Sequence, residues 1–305
     1  MNMNTFEATV PTPGDKLAAD TAMGPVTLLV ADLDGMTAYY RDAVTLRVLS
    51  ADRHTVTLGR GTTPVVILEH SPALAHAPSG SAGLFHTAIL FDTQAALAAS
   101  LYSVARHAPG TFTGSADHLV SQAFYFTDPE GNGVELYWDR DRSTWSWVHG
   151  QVEMDTIFLD PNQYLADHLT DEAADAPGDE TLFGGARVGH IHLSVGDVAT
   201  ARSFYVDTLG FDQTAAVGNT AVFVSAGGYH HHMAMNVWNS RGAGPRMPAL
   251  GLGRVDIVVP DGDALGALGE RLAHYRVERQ DDGRTVSFDD PWNNRLFVTT
   301  GAGAA

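Results

Sequence analysis

The chain has 305 residues, 44% of them hydrophobic and 18% charged, with a formal net charge of −18, 14 His and no cysteine. That length allows one large domain or two of ordinary size, and the acidity argues against nucleic acid or an anionic membrane as partner, because both select Lys and Arg. Without cysteine there are no disulfides, thiolate metal sites or Cys nucleophiles, so a metal site is expected to use imidazole and carboxylate.

Residues 1–22 read as a polar, poorly ordered lead-in with Pro11, Pro13 and Gly14. It has no apolar core of a secretory signal, and no later stretch approaches the roughly 20 apolar residues of a membrane span, so a cytoplasmic protein is expected. Val26–Val30 reads as a strand and Leu33–Val44 as a helix. Thr55–Leu58 and Val65–Glu69 read as strands separated by a Gly59-Arg60-Gly61 turn. Together these make most of one βαβββ module. A linker follows from His70 to Ala82. A second module opens with the strand Phe85–Leu90 and the Ala- and Leu-rich helix Gln94–His107. It closes with Gln122–Phe126, the turn Asp128-Pro129-Glu130-Gly131-Asn132, and Val134–Trp138. Side chains alternate along a strand, so Glu135 and Tyr137 share one face while Val134, Leu136 and Trp138 share the other. A connecting segment comes next, with a helix expected over 161–169 and an acidic run from Asp171 to Glu180.

The second half repeats the first. Asp32 and Asp197, Tyr40 and Tyr205, and Asp42 and Asp207 are each 165 positions apart, a constant offset through strand and helix. Asp290-Pro291 repeats Asp128-Pro129 at an offset of 162. The fold expected is α+β, with four βαβββ modules in two domains: residues 23–140 (modules 1 and 2), a connection over 141–186, and residues 187–300 (modules 3 and 4).

The run from His118 through Phe124-Tyr125, Asp128-Pro129 and Gly131 to Glu135 resembles the signature of extradiol ring-cleavage dioxygenases. That family lies in the vicinal-oxygen-chelate superfamily, alongside glyoxalase I and the bleomycin-resistance proteins. Ala116 departs from the pattern, where the family usually has Gly, Asn, Thr, Ile or Val. The resemblance implies paired curved mixed sheets enclosing a metal cleft, and a ligand set of two His and one carboxylate. Such a facial triad leaves three adjacent positions open and suits Fe(II), with Mn(II) tolerated by the same ligands. On the matching positions His86, Glu135 and His190 would be the ligands, with His192 the runner-up to His190 on the same strand face. Tyr125 and His118 match residues that touch substrate or bound oxygen. His231 matches the acid/base, with His230 and His232 open as alternatives in the run Tyr229-His230-His231-His232, which is expected on a late strand of module 3. An imidazole suits that task because it titrates near neutrality.

Modules 1 and 4 carry Pro25, Arg254 and Phe297 where ligands would stand. The site is therefore expected between modules 2 and 3, with modules 1 and 4 as a structural half. The activity implied is insertion of O2 into a small aromatic diol by meta cleavage, with homo-oligomerisation left open. Two rivals are a glyoxalase-like or hydroquinone-cleaving enzyme, for which Glu69 is the candidate second glutamate, and a non-enzymatic binding protein. Singly, each residue also has an ordinary structural reading, as a core histidine, an edge charge or a packing aromatic. The joint pattern favours the metal site.

Overall fold

A computed structural model describes residues 16–301. Module 1 contains β1 (Ala22–Val30), α1 (Leu33–Ala38), β2 (Arg47–Ala51), β3 (Thr55–Arg60) and β4 (Thr63–His70). Module 2 contains β5 (Gly83–Phe91), α2 (Gln94–His107), β6 (Phe112–Asp117), β7 (Ser121–Thr127) and β8 (Gly133–Asp139). The connection holds a two-stranded hairpin, β9 (Trp147–Val148) with β10 (Gln151–Val152), and the helices α3 (Pro161–His168), α4 (Asp171–Asp175) and α5 (Glu180–Phe183). Module 3 contains β11 (Ala186–Ser194), α6 (Val198–Arg202), β12 (Asp212–Val217), β13 (Ala221–Ser225) and β14 (Met233–Asn236). Module 4 contains β15 (Gly251–Val259), α7 (Gly262–His274), β16 (Arg279–Asp281), β17 (Thr285–Asp289) and β18 (Arg295–Thr300).

The fold is α+β, with two eight-stranded sheets. One runs β16-β17-β18-β15-β1-β4-β3-β2 and joins modules 4 and 1; the other runs β12-β13-β14-β11-β5-β8-β7-β6 and joins modules 3 and 2. In each sheet the first strands of two modules pair antiparallel at the centre, β1 with β15 and β5 with β11. One continuous core takes alternate residues from both sheets, such as Leu28, Val66 and Val255 from one and Ile89, Leu136 and Ile191 from the other. Met36, Tyr40, Leu97 and Leu101 join it from the helical segments. The opposite face of β5 and β8 carries His86, Ala88, Glu135 and Tyr137, in keeping with period-two alternation.

Several sequence expectations need correction. Residues 1–15 of the lead-in lie outside the described residues, but Leu17 is buried and Ala22 already begins β1. The α-helix expected over Leu33–Val44 stops at Ala38 and continues as a π-helical turn, Tyr39–Ala43. Its repeat does the same, α6 giving way to a π-helical turn at Ser203–Thr208. Gly59 and Arg60 belong to β3, and the turn falls at Gly61, where φ is +60°. The short strands β2 and β6 lie at sheet edges. With one neighbour each and half their surface wet, they carry little hydrophobic patterning to read. The His230–His232 run lies just ahead of β14 rather than in it. Gly227 and Gly228, both left-handed, turn the chain there, so the three imidazoles take separate directions.

Candidate metal centre

The site is built on the central strands of the second sheet. Ala88 on β5 pairs in register with Glu135 on β8 and with His190 on β11. Its small side chain leaves room for the carboxylate and the imidazole to meet across it. His86 stands one same-face step along β5 and faces His192 in register. The result is a buried cluster in which single ligand atoms of His86, Glu135 and His190 all lie within 4.8 Å of one another. His86 Nε2 is 2.9 Å and His190 Nε2 is 3.1 Å from the same carboxylate oxygen, Glu135 Oε2. His86 Nε2 makes no well-directed hydrogen bond despite that short distance, and His190 Nδ1 is also buried without a partner. Buried donors or acceptors are normally satisfied, so two unpartnered imidazole nitrogens in a cluster where both rings converge on one carboxylate oxygen fit a divalent cation. Burial alone would raise the Glu135 pKa, but His190 and His86 outweigh it and hold the carboxyl well below its ordinary value. Burial lowers His190 to about 4, against the pull of Glu135. The cluster is therefore ready for a cation at neutral pH: an anionic carboxylate and neutral imidazole at His190.

Gly189 matters to this packing. A Cβ there would collide with the Tyr137 hydroxyl, and the Tyr137 ring lies 5.0 Å from that of His190, centroid to centroid. His192 sits apart from the cluster's ligand atoms. Its Nε2 accepts a hydrogen bond from Asn236 Nδ2 at 3.0 Å. Burial pushes its pKa well below the ordinary value. Of the two same-face histidines of β11, the geometry thus brings His190 to Glu135 and leaves His192 in the wall.

Of the remaining sequence candidates, His118, Tyr125 and His231 line the same cavity. His118 Nε2 lies 2.6 Å from the Tyr125 hydroxyl and its Nδ1 lies 2.7 Å from the Asp155 carbonyl. A carbonyl only accepts, so Nδ1 carries the proton, Nε2 is the acceptor, and Tyr125 donates to it. Burial first, then the Glu135 carboxylate, pushes the Tyr125 pKa well above its usual value, so the phenol stays protonated. The His231 ring lies 4.1 Å from that of His190, tilted by 48°, and lines the cavity. His231 Nδ1 lies 2.7 Å from His230 Nδ1, and His230 Nε2 lies 2.9 Å from Asp139 Oδ1. Tyr229 donates to Asp139 Oδ2 at 2.7 Å and meets the Tyr137 hydroxyl at 2.7 Å. His232 turns away, its Nδ1 accepting from the Ala226 amide.

Sequence reasoning missed Asp139, which it left just beyond the strand Val134–Trp138 with no task, and the cavity roof. Residues 148–156 of the connection line the cavity with Val148, Gln151, Val152 and Met154 among them, opposite Phe85, Phe223 and Trp238. Hydrogen bonds between Asp117 and Ile157 pin that segment beside His118. No local pattern in a loop segment announces a contact of this kind. The other sheet shows what replaced the ligands. Arg254 bonds Asp256 at 3.1 Å and stacks 4.9 Å over Phe297, filling the equivalent positions. Glu69 also belongs to that sheet and not to the cluster.

A sequence profile of the Glyoxalase/Bleomycin resistance protein/Dioxygenase superfamily matches residues 22–136 and 187–297. The chain belongs to that superfamily. It is 36% identical over 274 residues to a catechol-2,3-dioxygenase of Bacillus subtilis (strain 168), covering 88% of this chain and 93% of that protein. The chain is accordingly an enzyme of the dioxygenase class. Among solved structures it resembles a dioxygenase candidate from Bacillus subtilis subsp. subtilis str. 168, with a TM-score of 0.63 at 13% identity over 95% of this chain and 87% of that one. It also resembles glyoxalase I from Zea mays, with a TM-score of 0.54 at 16% identity over 92% of each chain. At those identities the structural likeness speaks for the fold alone. Among the described residues no helix is long and apolar enough to cross a membrane.

Proposed function

We propose that this enzyme is an Fe(II)-dependent extradiol dioxygenase that opens a catechol-type ring beside one hydroxyl, giving a hydroxymuconic semialdehyde. The observation that carries the reading is the buried His86–Glu135–His190 cluster at the floor of a cavity whose walls present His231, Tyr125 and His118. The relationship to a protein named for catechol 2,3-cleavage supports it.

In this reading His86, Glu135 and His190 would hold the metal, at the floor of the cavity that would take the substrate. Fe(II), or Mn(II) on the same ligands, would supply the Lewis acidity and the electrons that O2 chemistry needs. The protein's own groups do the rest. In a neutral His230 ring that donates Nε2–H to Asp139, Nδ1 is an acceptor and His231 carries its proton on Nδ1. The lone pair of His231 Nε2 is then free for the cavity. Burial, with His190 beside it, holds the His231 pKa well below its usual value, so the ring is a neutral base able to take a proton from a diol hydroxyl and return it later. The Tyr125 hydroxyl, turned by His118, keeps its oxygen lone pairs for a hydroxyl of the substrate.

The test is anaerobic loading with Fe(II), then addition of catechol in air, following absorbance and O2 together. A yellow product matched by O2 uptake, and lost in Glu135→Ala, is expected. Bound iron with no O2 uptake from any diol would overturn the reading.

A further inference from the structure

We infer that this site selects uncharged catechols bearing an apolar substituent and discriminates against catechols bearing a carboxylate. The inference rests on the ring-cleavage reading and goes beyond it, because nothing in the ligand cluster chooses among ring substituents.

The first observation is size. The cavity is about 1100 Å³, several times what a bare benzenediol fills. A diol held at His86, Glu135 and His190 occupies one end, and the remainder must take a substituent or stay filled with water.

The second is the character of that remainder. Phe85, His192 and Trp238 form one aromatic wall. The Phe85 and Trp238 rings meet edge to face at 5.3 Å, and the His192 ring lies 5.4 Å from that of Trp238. Phe223 extends the wall from the other side of His192 at 5.9 Å. Toward the mouth, Leu119, Val148, Val217 and Trp238 line the cavity and still expose 43%, 44%, 53% and 49% of their surface. Four large apolar side chains left wet around one opening form a surface that an apolar ligand group would cover.

The third is charge. The acidic side chains that line the cavity are Glu135, Glu153 and Asp155, and none of the lining residues is Lys or Arg. Glu153 and Asp155 are exposed, on the roof near the mouth. A substituent carboxylate would leave water for a space with no Lys or Arg to pair with and two carboxylates beside it, on a chain already at −18. An alkyl or aryl group meets no such penalty and gains burial.

The experiment measures binding without turnover. The metal-loaded enzyme is titrated anaerobically, following tryptophan fluorescence, with catechol, 3-phenylcatechol and 3,4-dihydroxyphenylacetate. The phenyl compound is expected to bind roughly tenfold or more tightly than catechol, and the carboxylate compound more weakly than catechol. Val148→Arg, at an exposed rim position outside the catalytic groups, is expected to raise affinity for the carboxylate compound and lower it for the phenyl compound. Equal or tighter binding of the carboxylate compound by the unaltered enzyme would overturn this inference while leaving ring cleavage intact. So would a Val148→Arg variant that leaves both affinities unchanged. Failure of all three diols to bind would instead remove the ring-cleavage reading, and this inference with it.

Discussion

The Tyr40 hydroxyl donates a hydrogen bond to the buried Asp128 carboxylate at 3.0 Å, tying the helical segment of module 1 to the Asp-Pro turn of module 2. The repeat reproduces it: Tyr205 donates to Asp290 at 3.0 Å. These modules belong to different sheets, so each bond clamps one sheet to the other. In each half a π-helical turn presents the tyrosine. The carboxylate also accepts backbone amides of its own turn, at Glu130 and Asn132 in one copy and Trp292 and Asn294 in the other. Gly131 and Asn293 take the same left-handed position at the head of the two turns.

Removing either hydroxyl leaves a buried carboxylate oxygen short of a donor. Tyr40→Phe and Tyr205→Phe are each expected to destabilise the fold by about 1.5–3 kcal/mol, the range for hydrogen bonds to charged groups. The two share no partner, so the double variant should lose close to the sum. Urea denaturation of the three variants checks both statements, and a double variant no worse than either single one would contradict the clamp.

Burial raises the Asp290 pKa above its ordinary value, while the Tyr205 hydrogen bond works to lower it. A carboxyl with a raised folded-state pKa contributes stability that is fully present below its unfolded value and lost as pH rises through the folded value. Taking away Tyr205 removes a donor that favours the ionised form and raises that pKa further. The penalty of Tyr205→Phe should therefore grow as pH rises through the folded value toward neutrality. Denaturation at pH 4.5 and pH 7.5 reads the sign directly; a larger penalty at the lower pH would be the wrong one.

The ligand assignment predicts a graded metal series. His86→Ala, Glu135→Ala and His190→Ala should each weaken metal binding by more than about 100-fold, beyond the loss typical of removing an outer hydrogen-bond partner. His192→Ala, whose Nε2 is engaged by Asn236, should keep its metal. Metal content after dialysis and Co(II) absorbance would show the difference. A metal-free His192→Ala beside a loaded His190→Ala would reverse the assignment on β11.

Asp139 touches neither the cavity nor the cluster, yet it fixes the proton on His230 and through it the tautomer of His231. Asp139→Asn should keep the metal and KM and lower kcat by about 10²-fold or more, the contribution typical of a positioned base. Nitrogen NMR of the metal-free protein should show His231 moving away from the Nδ1–H form. An unchanged tautomer would remove Asp139 from this role, whatever happens to kcat.

Much of this was written locally. The offset of 165 announced the repeat. Strand parity put Glu135 on the face opposite Val134 and Leu136, and the Pro25, Arg254 and Phe297 substitutions marked modules 1 and 4 as lacking ligands. These are readable because side-chain direction along a strand and turn chemistry depend on near neighbours. Edge strands β2 and β6 were not readable, since their pairing rather than their pattern makes them strands.

The sequence by itself determined the four modules, the faces of their strands and the histidines and carboxylate available for a metal. Tertiary structure decided which of them meet. His190 and His192 have the same parity, and only the pairing of β11 against β5, with its register shift between Val188 and His190, puts His190 and Glu135 on either side of Ala88. The cavity roof from the connection and the Asp139–His230–His231 chain likewise join residues far apart in sequence. Such contacts are set by how sheets pair and loops close over them, and no spacing along the chain encodes that directly.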